Sequence, residues 1–84
     1  MLHVVIKSPT EIIWEGEAEW ISSENSVGPF DVLPGHANFI TLIDNKPIVI
    51  QGNNAKKERY LFKRAALLVK NDEISIYTHL EHKR

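Results

Sequence analysis

With 84 residues, 43% of them hydrophobic, the chain has room for one domain around a single modest core. At this size folding buries only about 60–65% of the unfolded surface, so a few kcal/mol of stability is expected unless a partner adds to it. Ten basic and 11 acidic residues nearly cancel, which argues against nucleic acid or an anionic membrane as a general partner, and the lack of cysteine excludes disulfides and thiolate metal sites.

Met1 leads straight into Leu2-His3-Val4-Val5-Ile6, without a basic stretch ahead of a long apolar one, so no secretory signal is expected. No apolar run approaches the roughly 18 residues of a membrane span, and a soluble protein is expected. Short bursts rich in Ile and Val then predict strands near 2–7, 11–15, 17–23, 29–33, 37–43, 47–51, 56–63, 65–70 and 73–79. Ser8-Pro9-Thr10, Gly16, Asn25-Ser26, Pro34-Gly35, Asp44-Asn45-Lys46-Pro47, Gly52-Asn53-Asn54 and Asn71-Asp72 supply the breaks. Asn71-Asp72 reads as a tight hairpin turn, since both residues tolerate the left-handed conformation. Pro29 belongs at an edge, a bulge or a strand start, because a central strand would lose a ladder bond there.

Residues 55–70 also have some helix propensity, but no N-cap or clean apolar face accompanies it, and two strands are preferred. The fold class is therefore all-β: an antiparallel β-sandwich of about nine to ten short strands over residues 1–80, with 81–84 as a charged tail.

One face per strand should be buried in such a fold, so apolar and polar residues should alternate. Val4-Val5-Ile6, Ile12-Ile13-Trp14, Ile48-Val49-Ile50 and Ala65-Ala66-Leu67-Leu68-Val69 are apolar at both parities. The excess points to an outer face covered by another protein; the plainer reading is that strand ends curl inward and that surfaces are routinely half apolar.

Candidate chemistry is sparse. No nucleophile elbow, phosphate-cradling glycine loop or familiar metal-ligand spacing is present. His79 and His82 could take up a metal only if a helix set them on one face; a solvated tail is the preferred reading. His36 follows Pro34-Gly35 and reads as a turn histidine bonded to local backbone, with partner contact as its functional alternative. Trp14 is expected in the core. Trp20, read as pointing the same way as Ala18, is open between core and interface seam. Lys56-Lys57-Glu58-Arg59 mixes signs and reads as a solvated hairpin flank.

The run Gly28-Pro29-Phe30-Asp31-Val32-Leu33-Pro34-Gly35-His36-Ala37-Asn38-Phe39-Ile40-Thr41 resembles the G-E-L/F-G-I-L/Y-P-G-H-A-P-L segment of the ε subunit of F-type ATP synthases, called δ in mitochondria. The opening Leu2 to Pro9, followed by Ile12-Ile13-Trp14-Glu15-Gly16-Glu17-Ala18, is similar to that family's start. The resemblance implies a non-catalytic rotor-stalk subunit on the cytoplasmic side of the cell membrane. Such a subunit couples rotation of the c-ring to ATP synthesis, with the γ subunit and the c-ring as partners and no cofactor. It implies a ring-facing turn formed by Gly28, Pro29, Phe30, Asp31, Val32, Gly35, His36 and Asn38.

The chain departs from the family pattern at Pro29, where glutamate is usual, and at Asp31, which could supply the acidic group two positions on. Asn38-Phe39 replaces P-L, and Lys63-Arg64-Ala65-Ala66 replaces a Ser-Gly-Gly. A C-terminal helical hairpin is not expected, nor is nucleotide binding. The rival readings are a free-standing β-sandwich adaptor for an unrelated protein and, more remotely, a small histidine metalloenzyme.

Overall fold

The computed structural model describes residues 1–52 and 56–79. Eight strands follow in order: β1 (Leu2–Lys7), β2 (Ile12–Glu24), β3 (Pro29–Val32), β4 (Phe39–Asp44), β5 (Pro47–Gly52), β6 (Lys57–Leu61), β7 (Arg64–Lys70) and β8 (Glu73–Thr78). They join one hydrogen-bonded sheet in the order β4-β7-β8-β1-β2-β5-β6, with β3 also paired to β2. Among the described residues there is no helix, and the ambiguous stretch 56–70 forms β6 and β7.

The sheet folds over on β2. Its first half pairs with β1, whereas its second half lies between β3 and β5, and the register shifts between Ala18 and Trp20. A bulge adds one residue to a strand, bends it and deepens its twist. One layer is thus β4-β7-β8-β1 with the start of β2; the other is β3, the end of β2, β5 and β6. Leu2, Val4 and Ile6 of β1, Leu67 of β7, Ile76 of β8 and Ile48 and Ile50 of β5 are fully buried in the core between the layers. Strict alternation in β1 and β7 places these side chains inward.

Three sequence expectations need correction. Gly16 does not break a strand: residues 11–15 and 17–23 are parts of one 13-residue strand. Gly16 pairs with Val4, and the Trp14 indole lies over it so closely that an added Cβ would stand 2.9 Å from the ring. The glycine therefore makes room for an aromatic side chain within the sheet. Trp20 does not point the same way as Ala18, because the bulge inverts the alternation. Ala18 is buried, whereas Trp20 is half-buried with Lys57 Nζ 5.9 Å from its ring centroid. Lastly, β1 and β8 pair in parallel, the other neighbours antiparallel.

The local turn chemistry follows the residues. Asn71 and Asp72 take φ of 51° and 66°, the left-handed pair that a tight hairpin needs. Pro29 opens β3, which pairs with β2 alone, so its missing donor removes no central ladder bond. Trp14 packs against the core, as expected. The Asn53-Asn54 turn and the tail containing His82 lie outside the described residues.

Candidate functional site

The segment from Gly28 to Asn38 is built by contacts from both layers. Asn25 starts it: its Oδ1 accepts the N–H groups of Val27 and Gly28 at 2.9 and 3.2 Å, and its Nδ2 donates to Thr41 Oγ1 at 2.9 Å. Gly28 sits at φ 145°, a conformation that side-chain-bearing residues rarely adopt. Pro29 and Asp31 are exposed on β3, and Asp31 Oδ1 accepts the Ser22 hydroxyl at 2.6 Å. Phe30 is half-buried and meets Phe39 edge to face, with ring centroids 5.7 Å apart.

Val32 is wholly buried, so it anchors the segment to the core and presents no side chain to a partner.

Beyond β3 the chain turns at Pro34-Gly35, with Gly35 at φ 83° and the His36 N–H donating to Leu33 O at 3.0 Å. His36 Nδ1 donates to the Ala37 carbonyl at 2.7 Å, and its ring lies 4.9 Å from that of Phe39. This is the local backbone role that its position after Pro-Gly predicts. Gly35 and Asn38 are exposed, but each is tied to the β7–β8 turn. Gly35 N–H donates to Asp72 Oδ1 at 2.8 Å, and Asn71 N–H donates to Asn38 Oδ1 at 2.9 Å. Along this segment Pro29, Asp31, Gly35 and Asn38 are exposed, Gly28, Phe30 and His36 half-buried, and Val32 buried.

Among the described residues no group of three or more His, Asp or Glu converges as metal ligands would. No described helix is long and apolar enough to cross a membrane. A cavity of about 200 Å³ on the outer side of the second layer is lined by Trp20, Ser22, Asp31 and Leu33.

A second feature lies on the outer face of the first layer. Ile40 and Leu42 of β4 are 68% and 58% exposed. Their register partners on β7 are Leu68 and Ala66, both half-buried and outward-facing; next in register on β8 is Ser75, with Val5 of β1 beyond it. The patch ends at polar groups: Lys7 Nζ lies 5.6 Å from the Tyr77 ring centroid, and His3 Nε2 meets Glu15 Oε2 at 3.0 Å. The doubled parity of Ala65–Val69 foretold the β7 part of this face. Sequence reasoning missed Ile40 and Leu42, although Phe39-Ile40-Thr41-Leu42-Ile43 carries the same signal.

A family model described as "ATP synthase, Delta/Epsilon chain, beta-sandwich domain" matches residues 1–80. The ATP synthase epsilon chain of Clostridium perfringens strain 13 is 27% identical over 73 residues, which cover 86% of this chain and 54% of that one. The chloroplastic ATP synthase epsilon chain of Galdieria sulphuraria is 32% identical over 75 residues, covering 89% and 54%. Among solved structures, a chain in the mitochondrial ATP synthase of Euglena gracilis superposes with a TM-score of 0.84 at 19% identity, over 92% of this chain and 49% of that one. A chain in the central stalk and c-ring structure of the Tetrahymena thermophila enzyme gives 0.73 at 12% identity, over 92% and 62%. At such identities the structural likeness speaks for the fold alone. The chain spans about half the length of the curated relatives it matches. Matched along residues 1–80, the chain belongs to the ATP synthase delta/epsilon family, whose beta-sandwich domain it forms.

Proposed function

We propose that this domain acts in the rotor stalk of an F-type ATP synthase, as a non-catalytic part of a peripheral assembly on the cytoplasmic side of the membrane. The observation that carries the reading is the outer face of β4 and β7. Ile40, Leu42, Ala66 and Leu68 form an apolar surface that a domain of this size does not cover itself. In this reading the γ subunit covers that face. The segment with Gly28, Pro29, Phe30, Asp31, Gly35, His36 and Asn38 meets the c-ring, and Val32 holds it from within. The domain then transmits rotation between ring and γ, without chemistry or nucleotide of its own.

The decisive experiment is capture of γ from the same organism by the tagged chain. Specific capture by the unaltered chain, lost on Leu42→Asp, is the expected result. Failure to capture γ, or capture indifferent to Leu42→Asp, would remove the apolar face from the assembly.

A further inference from the structure

Among the described residues, three strands have a single neighbour: β3, β4 and β6. Such an edge leaves alternate backbone N–H and C=O groups open to another strand, and natural sheets guard it with proline or charge. β3 begins with Pro29 and carries Asp31, and β6 begins Lys57-Glu58-Arg59. β4, which reads Phe39-Ile40-Thr41-Leu42-Ile43-Asp44, has one charge at its end, and Arg64 Nε already holds that carboxylate at 2.9 Å. Among the described residues, the one polar contact to the β4 backbone other than its β7 ladder is the Thr41 hydroxyl on Leu42 O at 3.4 Å.

We propose that β4 pairs with β4 of a second copy of this chain, antiparallel and centred on Thr41. The register is self-complementary. It sets Ile40 against Leu42 of the other copy on the outer face, Phe39 against Ile43 on the inner face, and Thr41 against Thr41. Apolar and aromatic–aliphatic pairs are favourable cross-strand combinations, and the Thr41 hydroxyls stay with Asn25 Nδ2 and Leu42 O of their own copy. Asp44 falls opposite Asn38, so no like charges meet. The other edges lack this property: β6 centred on Arg59 opposes two guanidinium groups, and β3 centred on Phe30 sets a donorless Pro29 against Asp31.

A groove of about 240 Å³ runs beside the same edge, lined by Glu24, Asn25, Ser26, Leu42, Asp44 and Lys46. The register sets Asn38 of the other copy opposite Asp44, at its rim. Two-fold symmetry repeats each contact, yet the strands are short. The dimer therefore belongs at the small end of stable interfaces and is concentration-dependent. Pairing covers Ile40 and Leu42 when nothing else does. It is a property of the chain alone and does not depend on the rotor reading.

Sedimentation of the 84-residue chain from micromolar to millimolar concentration tests it. The expected result is a monomer–dimer equilibrium weakened at least about tenfold by Ile40→Lys. Leu61→Lys, at another largely exposed site on β6, should leave it unchanged. Register is read by mixing chains that carry Ile40→Cys with chains that carry Leu42→Cys. Directly opposed positions stand about 5 Å apart at Cβ and diagonal ones about 7–8 Å, so unlike chains should cross-link in preference to like ones. A monomer at every concentration, equal weakening by Leu61→Lys, or predominantly like–like cross-links would each overturn the proposal.

Discussion

The carboxylate of Asp72 accepts a hydrogen bond from the backbone N–H of Gly35 at 2.8 Å, across 37 residues of chain. Asp72 also accepts the His3 N–H through its own carbonyl at 2.9 Å. One turn residue therefore fixes the loop after β3, the β7–β8 hairpin and the start of β1 relative to one another. The candidate contact segment is held from outside by this turn and from inside by Val32.

Replacing Asp72 by alanine removes that acceptor and puts a less tolerant residue at φ 66°. Urea unfolding should show a loss of about 1–2 kcal/mol, whereas Asp72→Asn, which keeps an acceptor and accepts the left-handed backbone, loses less than half as much. Gly35→Ala should lose about 1 kcal/mol from backbone strain alone, since open space surrounds the position where its Cβ would lie. Equal stabilities for all these chains would mean that the turn does not hold the loop.

Asn25 joins the two layers through its side chain, capping the 25–28 turn and reaching Thr41 on β4. Asn25→Ala strands those partners and is expected to destabilise by about 1–3 kcal/mol in denaturant titration. Asn25→Asp keeps the turn acceptor but loses the donor to Thr41, so an intermediate loss is expected. Hydrogen exchange should then show earlier opening of β4 than of β1.

Core and outer face separate cleanly by substitution. Leu67 is fully buried, so Leu67→Ala should cost about 2–5 kcal/mol of stability. Leu42→Asp, at a largely exposed site one strand away, should stay within about 0.5 kcal/mol on unfolding while abolishing γ capture. A large unfolding penalty for Leu42→Asp would show that this side chain serves the fold and not an interface.

Burial, and secondarily the Glu58 carboxylate, push the Tyr60 hydroxyl above its ordinary value of 10.0. The folded chain then keeps this proton where the unfolded chain has released it. The stability it contributes is complete below the unfolded value and is lost as pH climbs through the higher folded value. Unfolding titrations on the alkaline side should show a shallower fall in stability for Tyr60→Phe than for the parent chain. Identical slopes would contradict the raised hydroxyl.

Much of this architecture is legible along the chain because it is local. Asn71-Asp72 and Pro34-Gly35 specify turns through backbone preferences of their own residues, and alternation in Leu2–Lys7 marks which side chains share a face. The family resemblance at Gly28–Thr41 marked out the candidate segment for a related reason: a rigid turn demands particular residues in consecutive positions. Even the apolar surplus on β7 is visible as broken alternation.

What the sequence could not decide depends on partners distant in the chain. Whether Gly16 ends a strand or shelters Trp14 depends on the indole folding back over it, and whether Trp20 faces inward depends on a bulge one residue earlier. Val32 and Asp31 are neighbours, yet one is core and the other solvent, because the first layer closes over a single face of β3. Above all, alternation reveals that Ile40 and Leu42 share a side but not that β4 ends the sheet. Edge position arises only from which strands pair, and pairing is chosen by long-range burial that no local stretch encodes.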